Sequence, residues 1–70
     1  MIGGTYKHYK NDNLYKVIAL AKDSETLQDM VVYEALYPNP LSRVFTRPYS
    51  EWTDEVDKNG AKILRYTLLD

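Results

Sequence analysis

Asn59-Gly60 is the tightest local constraint in this chain. Asn-Gly between extended runs is the preferred two-residue hairpin turn, type I′, because both central residues need positive φ. The pair predicts a returning strand over Ala61–Leu69, with Ile63, Arg65 and Thr67 alternating against Leu64, Tyr66 and Leu68. The end of the chain is thereby committed to antiparallel sheet.

The earlier residues agree with that commitment. Thr5–Lys10 alternates loosely and reads as a first strand. Asn11-Asp12-Asn13 is a turn, since Asn and Asp tolerate left-handed backbone and bond their own main chain. Leu14–Ala21 is a second strand, with Tyr15, Val17, Ala19 and Ala21 on one face and Leu14, Lys16, Ile18 and Leu20 on the other. Lys22–Thr26 is a polar connection. Met30–Tyr37 is the clearest strand, Met30, Val32, Glu34 and Leu36 alternating with Val31, Tyr33, Ala35 and Tyr37. Pro38-Asn39-Pro40 stops it, and Arg43–Arg47 forms a fourth strand closed by Pro48. Ser50–Val56 reads as a helical turn capped by Ser50, with Trp52 and Val56 on one face.

Seventy residues make one domain, residues 1–70, and none is cysteine, so the core must hold the fold without a disulfide or a thiolate metal site. Aromatic residues reach 13%, mainly through seven tyrosines, which favours strands. The expected fold is mainly β: a small SH3-like barrel of about five strands with one short helical turn, because a sheet this small must curl to bury one face. Trp52, Phe45, Val17, Val32, Leu36 and Ile63 are the expected core.

No apolar run approaches the roughly 20 residues that span a bilayer, and Met1-Ile2-Gly3-Gly4 lacks the basic and apolar regions of a signal peptide. A cytoplasmic chain without a membrane partner is expected. Charge is uneven: residues 1–22 hold four lysines against Asp12, a net +3, while residues 23–42 hold four acids and no base, a net −4. Side by side in a fold, the two segments cancel.

Taken together, Gly4-Thr5-Tyr6-Lys7-His8-Tyr9-Lys10, Tyr15, Ser24-Glu25-Thr26, Val32-Tyr33, Leu36-Tyr37, Arg47-Pro48 and Arg65-Tyr66 resemble a family of short bacterial proteins, domain of unknown function 1653. The match runs from Gly4 to about Tyr66. The resemblance implies a small SH3-like barrel and no assigned activity, so no functional residue transfers. Members often carry His before Ser-Glu-Thr, where this chain has Asp23, and glycine is common where it has Asn11-Asp12-Asn13.

Catalytic patterns are absent. His8 is the lone histidine, and Ser24, Ser42 and Ser50 lack a nucleophile-elbow context. Asp23, Glu25 and Asp29 lack the Asp-x-Asp-x-Asp-Gly pattern of a calcium loop, and Asp23 or Ser24 is expected to cap local amides instead. No catalytic, cofactor-binding or metal-binding residue is assigned, and no cofactor is expected. Arg47 and Arg65 are expected to pair with carboxylates such as Glu34 or Glu51.

Seven tyrosines exceed what so small a core is expected to hold, which leaves phenol rings beside cations at the surface. The candidate ligand surface is Tyr6, Lys7, His8, Tyr9, Lys10, Tyr15, Arg47 and Tyr49. The leading reading is a small binding or interaction module for a protein or small ligand. The alternative is a nucleic-acid or nucleotide binder that stacks bases on Tyr9 and Tyr15 beside Lys7 and Lys10. A hydrolase built on His8 is the third and weakest.

Overall fold

Alternation and turn chemistry in the first half of the chain produce an antiparallel meander. In the computed structural model, which describes residues 1–70, β1 (Thr5–His8), β2 (Leu14–Lys22), β3 (Asp29–Ala35) and β4 (Val44–Pro48) pair in sequence. Asp12, at φ 59°, turns β1 into β2. Asp23 Oδ1 accepts the amides of Glu25 and Thr26 between β2 and β3, the capping expected of it. A one-turn helix α1 (Tyr49–Trp52) follows, then a hairpin of β5 (Glu55–Lys58) and β6 (Ala61–Leu64), then β7 (Tyr66–Leu68). β7 returns beside β1, so one sheet has the order β4-β3-β2-β1-β7 and the hairpin forms a second. The protein is mainly β, as expected.

Two expectations at the end of the chain change. The helical turn is Tyr49–Trp52, not Ser50–Val56; Pro48 stands at its N-cap without a side-chain cap, and Val56 lies in β5. The returning strand breaks at Arg65, whose amide bonds the Asp54 carbonyl instead of a strand neighbour, dividing it into β6 and β7.

The core is Tyr6, Tyr15, Val17, Val31, Tyr33, Ala35, Trp52 and Tyr66, with Tyr37 and Phe45 packed against it. Trp52, Val17 and Phe45 are where the sequence predicts them. Val32, Leu36 and Ile63 are not. β3 turns Val31, Tyr33 and Ala35 inward, which leaves Val32 half-buried on the other face and Leu36 exposed; Ile63 sits on the hairpin. Tyr33 decides the face, because its ring buries more apolar area than valine and meets Trp52 at 4.8 Å between centroids. A bulge between Val17 and Ala19 also reverses the parity of β2. Beyond it Leu20, not Ala19, lies opposite the buried Val31, so Ala19 and Ala21 leave the face of Tyr15 and Val17.

β4 and β7 are the outer strands, and side chains join them. Trp52, just after β4, stacks on Tyr66 of β7 with centroids 3.7 Å apart, and the Arg47 guanidinium of β4 lies over the same ring at 5.6 Å. The free edge of β4 is blunted. Ser42 Oγ accepts the Val44 amide and donates to the Val44 carbonyl, occupying both groups that an added strand would need, while Pro48 has no N–H.

Asn59 (φ 53°) and Gly60 (φ 82°) make the expected hairpin turn. Only Val56 and Ile63 of that hairpin are half-buried. It projects, giving a radius of gyration of 12.4 Å where a compact chain of this length has about 11 Å. The basic and acidic segments lie side by side and cancel: Lys16 is opposite Glu34, and Lys22 bonds Asp29 at 2.6 Å. No helix is long and apolar enough to cross a membrane.

Candidate functional site

The strand pairing β1–β7 and the seam between β7 and β4 gather the cationic side chains around Tyr66. His8 ends β1 opposite Tyr66, its ring edge-on to the phenol at 5.0 Å and tilted on Tyr9 at 5.0 Å. Arg47 approaches Tyr66 from β4. Arg65 precedes Tyr66, and its carbonyl accepts the Tyr9 amide.

The two arginines are held differently. Arg65 forks onto Asp54, Nε to Oδ1 at 2.8 Å and Nη2 to Oδ2 at 3.1 Å. Arg47 donates from Nη1 to Glu51 Oε1 at 3.3 Å and lies beside the Tyr33 hydroxyl, while its buried Nε has no acceptor. Trp52 Nε1, also buried, lacks one too. Of the acceptors expected for these arginines, Glu51 serves Arg47, Glu34 instead holds Arg43 at 2.6 Å, and Asp54 is the partner the sequence reading missed. Two buried N–H groups of the seam, Arg47 Nε and Trp52 Nε1, are thus left without an acceptor.

Its electrostatics follow from burial and from the cations nearby. His8 Nδ1 accepts the Lys10 amide at 3.1 Å. Burial lowers the imidazole pKa below its ordinary 6.5, and the charges of Arg47, Arg65 and Lys10 lower it further. His8 is thus a neutral ring near neutral pH, and no serine or cysteine is bonded to it. Burial also raises the Tyr66 phenol, with Tyr33 adding to the effect. Tyr15 is pushed up to about 12 by burial and by its 2.8 Å bond to the Tyr37 hydroxyl, which also accepts Asn39 Nδ2.

The eight candidate residues divide into three groups. His8 and Arg47 meet at Tyr66, with Tyr9 and Lys10 beside His8. Tyr6 and Tyr15 are buried, Tyr6 edge-on to Trp52 at 5.3 Å, and present no stacking face to solvent. Lys7 alternates to the face opposite Tyr6 and His8, and Tyr49 lines a hollow with Leu20 and Met30. The core thus takes up more tyrosines than expected. Arg65 and Tyr66 belong with the first group, and the signal for them was their adjacency at the end of an extended run.

Fold and site define a small mainly-β module with an aromatic seam and a partly unsatisfied arginine. The chain belongs to the family described as "Protein of unknown function (DUF1653)", whose profile matches residues 4–68. It is also similar to a crystal structure of a DUF1653 protein from Bordetella bronchiseptica, with 32% identity and a TM-score of 0.84 over 94% of this chain and 83% of that one. No curated protein matches it.

Proposed function

We propose that the protein is a small cytoplasmic binding module that takes an acidic group of a protein or small ligand at the seam between β4 and β7. In this reading the bent sheet, sewn by Trp52 and Tyr66, is an SH3-like barrel, and its side chains recognise without catalysing. The observation that carries the proposal is Arg47, a half-buried guanidinium over Tyr66 with one 3.3 Å carboxylate bond and an Nε lacking an acceptor. A guanidinium so placed is partly desolvated and gains from a further anion. His8 shares the Tyr66 ring with it, Tyr9, Lys10 and Arg65 flank His8, and a neutral His8 can donate through Nε2.

Nucleic acid is the weaker fit, because the burial of Tyr15 removes one of the two rings on which bases would stack. A ¹⁵N NMR titration separates the two. Pentaglutamate is expected to shift the amides of His8, Tyr9, Lys10, Arg47 and Arg65, and Arg47→Gln to abolish the shifts while keeping a folded spectrum. Stronger, steeply salt-dependent shifts with a thymidine decanucleotide favour the nucleic-acid alternative. Silence with both probes overturns the proposal.

A further inference from the structure

A second surface, away from the seam, has the opposite chemistry. Where β4 gives way to α1, Leu20, Ala21, Asp29, Met30 and Tyr49 line a hollow of about 210 Å³. A neighbouring hollow of about 230 Å³ shares Asp29 and Tyr49 and adds Gln28 and Ser50. The β2 bulge places Leu20 opposite Val31 at the end of the sheet, on the face of Asp29 and opposite to that of Ala21 and Met30, and Leu20 stays 49% exposed there. Tyr49 is 40% exposed.

We infer that this slot takes the arginine side chain of a basic peptide, its stem on Leu20, its guanidinium between the Tyr49 ring and the Asp29 carboxylate. Charge supports this occupant. Residues 22–29 carry Lys22 against Asp23, Glu25 and Asp29, a net −2. Asp29 already holds a cation there, the exposed Lys22 ammonium at 2.6 Å. An incoming arginine exchanges one exposed pair for another and adds stem burial and a cation–π contact. The inference does not rest on the acidic-ligand reading, since it uses other residues and the opposite charge.

The test is a ¹⁵N NMR titration of the whole chain with acetyl-Gly-Arg-Gly-amide and with the same peptide carrying citrulline, which keeps the shape and drops the charge. The arginine peptide is expected to shift Leu20, Ala21, Asp29, Met30 and Tyr49, and to bind at least about three-fold more tightly than the citrulline peptide. Tyr49→Ala should weaken binding by a similar factor. Lys22→Ala, which removes the competing cation from an exposed position, should tighten it by about two- to five-fold. Equal shifts from both peptides mean an apolar slot only and overturn the inference, as does an unshifted spectrum at about 10 mM arginine peptide.

Discussion

Trp52 and Tyr66 lie ring on ring, 10° from parallel with centroids 3.7 Å apart, and so tie the segment after β4 to β7. Tyr6 meets the indole edge-on and Tyr33 meets it tilted at 4.8 Å, so a single tryptophan touches three tyrosines from three strands. A tyrosine-rich core needs no disulfide because each ring brings a large apolar area at the cost of few rotatable bonds. Trp52→Ala is therefore expected to cost about 3–5 kcal/mol. That is much of the roughly 4–10 kcal/mol available to a 70-residue chain. Trp52→Phe should cost distinctly less, because the indole N–H it removes has no acceptor. Urea unfolding of both variants checks this, and an unmoved midpoint for Trp52→Ala contradicts it.

Adjacent valines on β3 test which face of that strand is inside. Val31 is fully buried and Val32 only half-buried. Val31→Ala should cost about 2–3 kcal/mol and Val32→Ala under about 1 kcal/mol. The reverse order in thermal melts would place the core on the face of Val32 and Leu36.

The same valines show how far the sequence could be read. Alternation revealed that β3 is a strand, and Asn59-Gly60 revealed its hairpin, because both signals depend on backbone geometry alone. The choice of face depends on volume: a run with Tyr33 on one side and Val32 on the other stays ambiguous until Trp52 is placed. The β2 bulge left no local mark either, since the apolar run Val17-Ile18-Ala19-Leu20-Ala21 tolerates a parity shift. At the site, His8, Tyr9, Lys10 and Arg47 were legible as a basic, aromatic set, but the meeting of His8 and Arg47 at Tyr66 depends on β7 returning to β1. Tyr6 and Tyr15 were misjudged as surface because phenol hydroxyls suggest water, whereas Tyr15 satisfies its own on Tyr37.

Asp54 and Arg65 clamp the base of the projecting hairpin through two side-chain bonds and the bond from the Arg65 amide to the Asp54 carbonyl. The Arg65 guanidinium holds the Asp54 carboxyl below its ordinary 3.8. A depressed folded pKa means stability that is present above the unfolded carboxylate range, about pH 4, and is lost as pH falls through the folded value. Asp54→Asn should thus lower the melting midpoint at pH 7, and the gap to the parent should close as pH falls through the depressed folded value. A gap that persists unchanged in acid would assign the effect to something other than the ion pair.

Leu27 sits at φ 60° in the β2–β3 connection with most of its side chain in water. Left-handed backbone costs a branched residue about 1–2 kcal/mol, and asparagine tolerates it better. Leu27→Asn is expected to stabilise the protein by about 0.5–1 kcal/mol, read as a higher denaturation midpoint at unchanged slope. A lower midpoint would mean that Leu27 makes a contact worth more than the strain.

Ser42 guards the edge of β4. Its hydroxyl accepts the Val44 amide at 3.2 Å and donates to the Val44 carbonyl at 2.8 Å, so the strand presents Thr46 but not Val44 to a neighbouring chain. Exposed Val44 and Leu41 beside it would otherwise make the edge adhesive. Ser42→Ala leaves the interior untouched, so it should barely move the melting midpoint. It should instead raise the fraction of dimer and larger species at high protein concentration, measured by size exclusion with light scattering. Adding Thr46→Pro, which removes the amide still free on that edge, should restore the monomer. If Ser42→Ala stays as monomeric as the parent, the hydroxyl only shapes the turn into β4; if it associates and Thr46→Pro does not reverse it, association runs through a surface other than this edge.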